Sequence, residues 1–260
     1  MTSTAFGTTL HTLQAPAHWQ AVDLISDLHL QASESGTFEA WLTHMQHTHA
    51  DAVLLLGDVF EVWVGDDAVP HDPFLQACAE VLRHTSTQRF VGFMPGNRDF
   101  LVGPAFLGDC GVHPLQDPTL LVWGEQRTVL SHGDALCLGD AAYQRFRALS
   151  RTPQWQTDFL ARPLTERLAM AQAMRAQSEA HNQSMQSFAD ADPEMTRDWL
   201  HASQSLHMVH GHTHRPADHP VAGLEGATRQ VLSDWHVTPA QRRAQVLRLH
   251  ADGRSERLLA

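Results

Sequence analysis

Five short polar motifs punctuate this chain, each where an apolar run of strand character gives out. Residues 21–25 run into Asp27-Leu28-His29, and residues 51–56 run into Gly57-Asp58. Residues 89–94 lead to Gly96-Asn97-Arg98-Asp99, 128–130 to Ser131-His132-Gly133-Asp134, and 206–209 to Gly211-His212-Thr213-His214. Residues 38–48 and 74–84 read as helices, so strand and helix alternate as in an α/β protein. Further strands are expected at 119–123, 230–232 and 244–249. In open α/β sheets ligands gather beyond the C-terminal ends of the strands, so five motifs in such places can serve one site. Asp27 and His29 would share one side of an extended segment, and His212 and His214 repeat the spacing. Gly57, Gly96 and Gly211 permit the tight turns such loops need.

The donors are imidazoles, carboxylates and one amide oxygen. That mixture suits manganese, iron or zinc better than a thiolate-loving metal, and its size suits two ions. Two ions about 4 Å apart form a clamp for in-line phosphoryl displacement. One carboxylate must bridge them, and Asp58, at the tip of its strand, is the expected bridge. Hydroxide generated between the ions would be the nucleophile. With 19 histidines in the chain, any one of them, His132 included, is a weak sign. Five motifs in order carry far more weight.

Composition narrows the classes. The chain has 260 residues, 43% hydrophobic and 18% charged, enough for one core with an insertion. A net charge of −11 argues against a nucleic-acid binder, which needs a basic face. All 18 basic residues are arginine, so no lysine chemistry is available. Cys78, Cys110 and Cys137 are too few and too scattered for a disulfide framework or a cysteine zinc site, which fits a reducing, intracellular setting. Residues 1–19 have no charged n-region and no long apolar run, so no signal peptide is expected. The apolar run near residues 52–56 is far too short to span a bilayer.

Residues 141–203 differ from the rest. Strand signals vanish, and Arg, Gln, Ala and Met recur at helical spacing. The expected organisation is a core of residues 20–140 and 204–250 with a helical cap inserted at 141–203. Residues 141–176 hold six arginines against Asp158 and Glu166, interleaved with Phe146, Trp155 and Phe159. Such a segment in an acidic chain fits an anionic membrane surface and acyl chains. The alternative is ordinary amphipathic packing with solvated arginines.

In this order, Asp-x-His, Gly-Asp, Gly-Asn, His and Gly-His-x-His resemble the calcineurin-like metallophosphoesterase superfamily. The resemblance implies an α/β sandwich of two mixed sheets flanked by helices, here with an inserted helical cap. It implies Asp27, His29, Asp58 and His214 around a first metal, and Asp58, Asn97, His132 and His212 around a second. The superfamily usually has His after Gly-Asn, where this chain has Arg98. Arg98 removes a proton donor and adds a fixed cation with fork geometry for phosphate. Pyrophosphate cleavage tolerates the change, because a phosphate leaving group with a second pKa near roughly 6 needs no protonation. The alternative for Arg98 is an ion pair with Asp99 or a neighbour.

Three longer runs are more specific: Gly57-Asp58-Val59-Phe60-Glu61-Val62-Trp63-Val64-Gly65-Asp66-Asp67, Gly96-Asn97-Arg98-Asp99-Phe100, and His210-Gly211-His212-Thr213-His214-Arg215-Pro216. They resemble the UDP-2,3-diacylglucosamine diphosphatases of lipid A biosynthesis, from about Val22 to about Trp235. That resemblance implies hydrolysis of UDP-2,3-diacylglucosamine to UMP and 2,3-diacylglucosamine 1-phosphate with two Mn2+ per chain. It implies a peripheral protein on the cytoplasmic side of the inner membrane, with neither nucleic acid nor an obligate protein partner. Asp58, Asn97, Arg98 and His132 would be catalytic. Asn97, Arg98, Asp140, Ser178, Asn182 and His212 would touch substrate, as would Met185, where the family often has Lys. As bare sequence, Asp140 reads as a helix cap, and Ser178 and Asn182 as solvent-facing helix positions. Glu61, Asp66 and Asp67 either orient ligand imidazoles or form a solvated acidic loop. His210 has no matched role. Two rival readings stand: a metallophosphoesterase for a soluble nucleotide or phosphodiester, and a non-catalytic binding module, which would be expected to have lost ligands.

Overall fold

The computed structural model describes residues 10–184 and 190–260, and of residues 176–184 the backbone only. The chain runs β1 (His11–Gln14), β2 (Ala21–Ile25), α1 (Ser35–His47), β3 (Ala52–Leu56), α2 (Pro73–Ser86), β4 (Phe90–Met94), α3 (Pro104–Asp109), β5 (His113–Pro114), β6 (Thr119–Trp123) and β7 (Gln126–Ser131). Four helices follow: α4 (Ala141–Ser150), α5 (Pro153–Leu160), α6 (Leu164–Ser184) and α7 (Pro193–Ser203). The last part holds β8 (His207–His210), β9 (Ala217–Pro220), β10 (Thr228–Val231), β11 (His236–Val237), β12 (Arg242–Arg243), β13 (Gln245–His250) and β14 (Ser255–Leu259).

The strands form two mixed sheets of six, ordered β1-β6-β7-β8-β10-β9 and β14-β13-β2-β3-β4-β5, and β11 pairs with β12 alone. Every residue of β2 and β3 is buried, as parallel central strands covered on both faces must be. Their inward residues Val22, Leu24 and Leu54 meet Leu121, Leu130 and Val209 of the other sheet. Outward, Ile25, Val53 and Leu55 pack with Trp41 of α1 and Leu82 of α2. On the far side Val129 and Met208 meet Trp199 and Leu200 of α7. The layers are therefore helix, sheet, sheet, helix. Asp72 sets where α2 begins by accepting from the Phe74 amide at 2.8 Å, with Pro73 opening the helix. Asp192 and Pro193 do the same for α7.

Residues 11–14 and 255–259, which the sequence reading leaves without a role, each add an edge strand, β1 beside β6 and β14 beside β13. Of the insertion expected at 141–203, α7 is instead an outer layer of the sandwich, and α4–α6 sit on the core as the cap. Phe159 and Ala171 join the cluster of Phe60 and Trp63, and Arg167, only 2% exposed, forks onto the Asp67 carboxylate.

Candidate metal centre

Strands β2, β3 and β4 are parallel neighbours, so the loops carrying Asp27, Asp58 and Asn97 leave the same edge of one sheet. Strands β7 and β8 are parallel in the other sheet and deliver His132, His212 and His214. Asp27, His29, Asp58, His212 and His214 all sit in the left-handed region, with φ between 48° and 66°. Among the described non-glycine residues only Gln204, which ends α7, shares that region. This revises the expected geometry: Asp27 and His29 converge through two left-handed turns, not through the pleat of an extended strand. Left-handed backbone at non-glycine residues costs energy, and its concentration here marks a site held by its surroundings. The holding bonds are visible: the Asp27 amide donates to Gly57 O at 3.1 Å, His29 to Asp58 O at 3.0 Å, and Gly211 to His132 O at 2.9 Å. Asp99, fully buried, accepts from the amides of Gly96 and Val59 at 2.7 Å each. Burial and the neighbouring Asp58 charge push the Asp99 carboxyl up to about 6 despite those bonds.

All seven expected metal residues join one cluster. His29 Nε2 faces His214 Nε2 at 3.4 Å, and His214 Nε2 lies 3.3 Å from Asp27 Oδ1. His132 Nε2 lies 2.9 Å from Asn97 Oδ1 and 3.6 Å from Asp58 Oδ1. The His212 amide donates to Asp27 Oδ2 at 2.9 Å, and its ring lies edge-on to His132, 5.1 Å between centroids. Two groups could each hold an ion: Asp27, His29 and His214, and Asp27, Asp58 and His132. Asp27 belongs to both, while Asp58, the expected bridge, belongs to one.

The arrangement fits divalent cations. Imidazole nitrogens and carboxylate oxygens point at one another, and Asp27 has His214 as its only cationic partner among the described ion pairs. His132 donates Nδ1–H to Leu56 O at 3.0 Å, which leaves Nε2 as the ligand atom. Burial disfavours a charged His132, but the carboxylates of Asp58, Asp134, Asp27 and Asp117 outweigh it and push the ring up to about 9. A pocket that draws a proton so strongly draws a metal ion for the same reason.

Of the supporting residues, Arg98 takes the expected alternative of an ion pair and Glu61 the expected place beside an imidazole, while Asp66 and Asp67 take other partners. Arg98 pairs with Glu61, Nη1 to Oε1 at 2.7 Å, and its amide donates to Asp58 at 2.9 Å; its partner is not Asp99. Of the acidic loop residues, only Glu61 reaches a ligand imidazole, at 3.2 Å from His29 Nδ1. Asp66 braces the loop by accepting from the amides of Gly103 and Phe106, and Asp67 holds Arg167. His210 is a buried, neutral hinge pin: Nδ1–H donates to Gly211 O at 2.8 Å and Nε2 accepts from Arg229 at 2.9 Å. Burial, then the Arg229 charge, pushes it down to about 3.

Asp140 caps α4 by accepting from the Tyr143 amide at 2.9 Å, and it also lines a cavity of about 550 Å³ beside the centre. Asn97 and Arg98 border that cavity as well, with Phe100, Phe146 and Trp155 on its apolar side. Ser178 and Asn182 lie on the backbone of α6 with side chains outside the described residues, and Met185 lies outside them altogether. Tyr143 went unnoticed in the sequence. Its hydroxyl donates to buried Asp134 and its ring stacks on His212 at 6.1 Å. A single tyrosine in the first turn of a helix gives no sequence signal of its own.

The two-sheet sandwich, with carboxylates and imidazoles gathered at its strand ends, has the fold and site of a calcineurin-like metallophosphoesterase, a hydrolase. No family model matches the chain. It is 43% identical over 220 residues to the UDP-2,3-diacylglucosamine hydrolase of Chromobacterium violaceum, covering 83% of this chain and 91% of that one. It is 42% identical over 241 residues to the enzyme of the same name from Xanthomonas campestris pv. campestris, covering 88% and 95%. The chain belongs to the UDP-2,3-diacylglucosamine hydrolase family. Among solved structures, an archaeal phosphodiesterase superposes with a TM-score of 0.47 at 9% identity, covering 92% of this chain and 99% of that one. Vacuolar protein sorting 29 from Cryptosporidium parvum does so at 0.43 and 14%, covering 93% and 97%.

Proposed function

We propose that the chain hydrolyses the pyrophosphate bond of UDP-2,3-diacylglucosamine to UMP and 2,3-diacylglucosamine 1-phosphate, with Mn2+ at two positions, on the cytoplasmic face of the inner membrane. The observation that carries this reading is the cavity. It opens beside the metal cluster, takes Asn97 and Arg98 as its polar end, and continues into Phe100, Phe146, Trp155 and Phe159. A pyrophosphate over the cluster would thus have an apolar slot beside it, which a soluble nucleotide would leave unfilled.

Asp27, His29, Asp58 and His214 would hold one ion, and Asp58, Asn97, His132 and His212 the other. Divalent ions there supply positive charge for the phosphoryl oxygens and make water a nucleophile at neutral pH. Arg98 is fixed by Glu61 with its guanidinium at the cavity edge, where it can share the charge of the departing phosphate. Asp140, Ser178, Asn182 and the Met185 position would complete the substrate contacts.

The membrane reading changes its support. Arg147 holds Asp134, Arg151 holds the Gly96 carbonyl, Arg167 holds Asp67 and Arg175 holds Glu61, so four cap arginines turn inward. On the outer side Val62, Leu138, Leu149, Leu160 and Leu168, five of the seven exposed large hydrophobics among the described residues, stand among exposed polar residues such as Arg145 and Arg162. Exposed Leu149, Leu160 and Leu168, on the helices that line the cavity, favour a bilayer surface over solvent. No helix of the described residues is long and apolar enough to cross a membrane.

The deciding assay uses manganese and UDP-2,3-diacylglucosamine in detergent micelles beside a chromogenic phosphodiester. UMP release with little diester turnover is the expected result. Diester turnover alone would leave the metal centre standing and remove the lipid substrate.

A further inference from the structure

Glu61 is buried to 6% exposure, yet one carboxylate meets an imidazole and two guanidinium groups from three parts of the fold. Its Oε2 lies 3.2 Å from His29 Nδ1, on the loop after β2. Its Oε1 accepts from Arg98 Nη1 at 2.7 Å, on the loop after β4. The same oxygen also meets Arg175 Nη2, from α6 of the cap. Backbone pairing sets the placement: Glu61 N donates to Leu30 O at 3.1 Å and Leu30 N to Val59 O at 2.9 Å, so the loops after β2 and β3 run side by side.

We infer that Glu61 couples occupancy of the first metal position to the seating of the cap. The inference rests on the reading of His29 as a metal ligand. An imidazole that ligates through Nε2 must carry its proton on Nδ1, and a carboxylate opposite that proton fixes the tautomer, turns the ring and strengthens the ligand. An ion there would draw electron density through His29 and strengthen the attraction between its Nδ1–H and Glu61, which would hold the carboxylate where Arg175 meets it. Linkage is reciprocal, so a seated cap raises metal affinity by the factor that the metal raises cap order. Arg98 shares the carboxylate, so the residue poised for phosphate is aligned by the same event. Glu61 is a positioning residue, acting through His29, Arg98 and Arg175.

The test reads metal affinity and backbone exchange, not turnover. Manganese alone is titrated calorimetrically into the metal-stripped full chain, and hydrogen exchange over residues 164–175 is followed with and without it. In the unaltered chain manganese should slow exchange across that stretch of α6. Glu61→Gln keeps the shape and removes the charge. It should weaken manganese binding about tenfold or more and abolish the metal-dependent slowing. Arg175→Gln, which leaves the His29 contact intact, should also abolish the slowing, and it stands in should Glu61→Gln fail to fold. Slowing that persists in either variant would overturn the coupling, as would manganese binding with no slowing in the unaltered chain. Failure of the unaltered chain to bind manganese would instead overturn the metal reading on which the coupling depends.

Discussion

The strand-end loops and the cap face one another across a single cavity, yet they are held by opposite means. In the loops the backbone does the holding: left-handed turns at Asp27, His29, Asp58, His212 and His214 are stitched to neighbouring strands by amide hydrogen bonds. In the cap, arginine side chains join the apolar packing of Phe159 and Ala171, reaching down to Asp67, Glu61, Asp134 and the Gly96 carbonyl. Reagents that must meet a phosphorus atom with sub-ångström accuracy need the first kind of support. A wall that must part for a two-chained lipid is better served by the second, because long side chains can release and re-form their bonds.

The largest effect should come from the stitched side. Asp27→Ala or His132→Ala is expected to lower hydrolysis at least about a hundredfold while far-UV circular dichroism stays native. Undiminished turnover in either variant, or in the metal-stripped parent, would collapse the distinction between reagents and wall. The core also contains one carboxylate held as the cap is held, which tests whether charge can support a sheet. Asp23 in β2 accepts from Arg248 at 2.7 Å and Thr48 at 2.6 Å, with His44 at 3.2 Å. Burial opposes ionisation, but those bonds outweigh it and hold the carboxyl at about 2, below its usual 3.8. A depressed carboxyl contributes stability that is complete above about pH 4 and is lost as pH falls toward 2. Asp23→Asn should cost about 2 kcal/mol at pH 7, with the gap closing near pH 2 in urea titrations. A gap of constant size across that range would show that the charge contributes nothing.

On the cap side, Asp67→Asn leaves Arg167 buried beneath a neutral partner. It should raise the KM for the lipid substrate about tenfold, with the chromogenic diester unmoved. Equal effects on both substrates would mean that the cap serves the chemistry and not the lipid. The smallest effect isolates backbone strain from function. Gln204 is left-handed at the end of α7, far from any ligand, so Gln204→Gly should stabilise the chain by roughly 0.5–1 kcal/mol. Loss of stability there would show that left-handed backbone is no burden in this fold.

What the sequence revealed follows from the same contrast. Strands β2, β3 and β6 were legible because central strands are mostly apolar, and the strand-end motifs because donor residues have few other uses in such loops. Strands β1, β9 and β14 were not legible, since an edge strand carries no such run: β9 reads Ala-Asp-His-Pro. Composition counted the cap arginines correctly but could not say which way they point. An inward guanidinium and a solvated one are the same letter, and only the partner, such as Asp67 a hundred residues earlier, distinguishes them. The Tyr143–Asp134 contact was hidden likewise, because α4 turns back over the loop that precedes it.

The seven donors divide between the two sheets. Asp27, His29, Asp58 and Asn97 leave one, and His132, His212 and His214 leave the other. Ions held among them would work as a bolt through one end of the sandwich, whose middle is joined by the apolar contacts of Val22, Leu24 and Leu54 with Leu121, Leu130 and Val209. A bolted laminate does not shear evenly. With the bolt in place, the sheets can slide only about that end. With it withdrawn, the end that carries the chemistry would be joined by the hydrogen bonds of His132 to Leu56 O and of the His212 amide to Asp27.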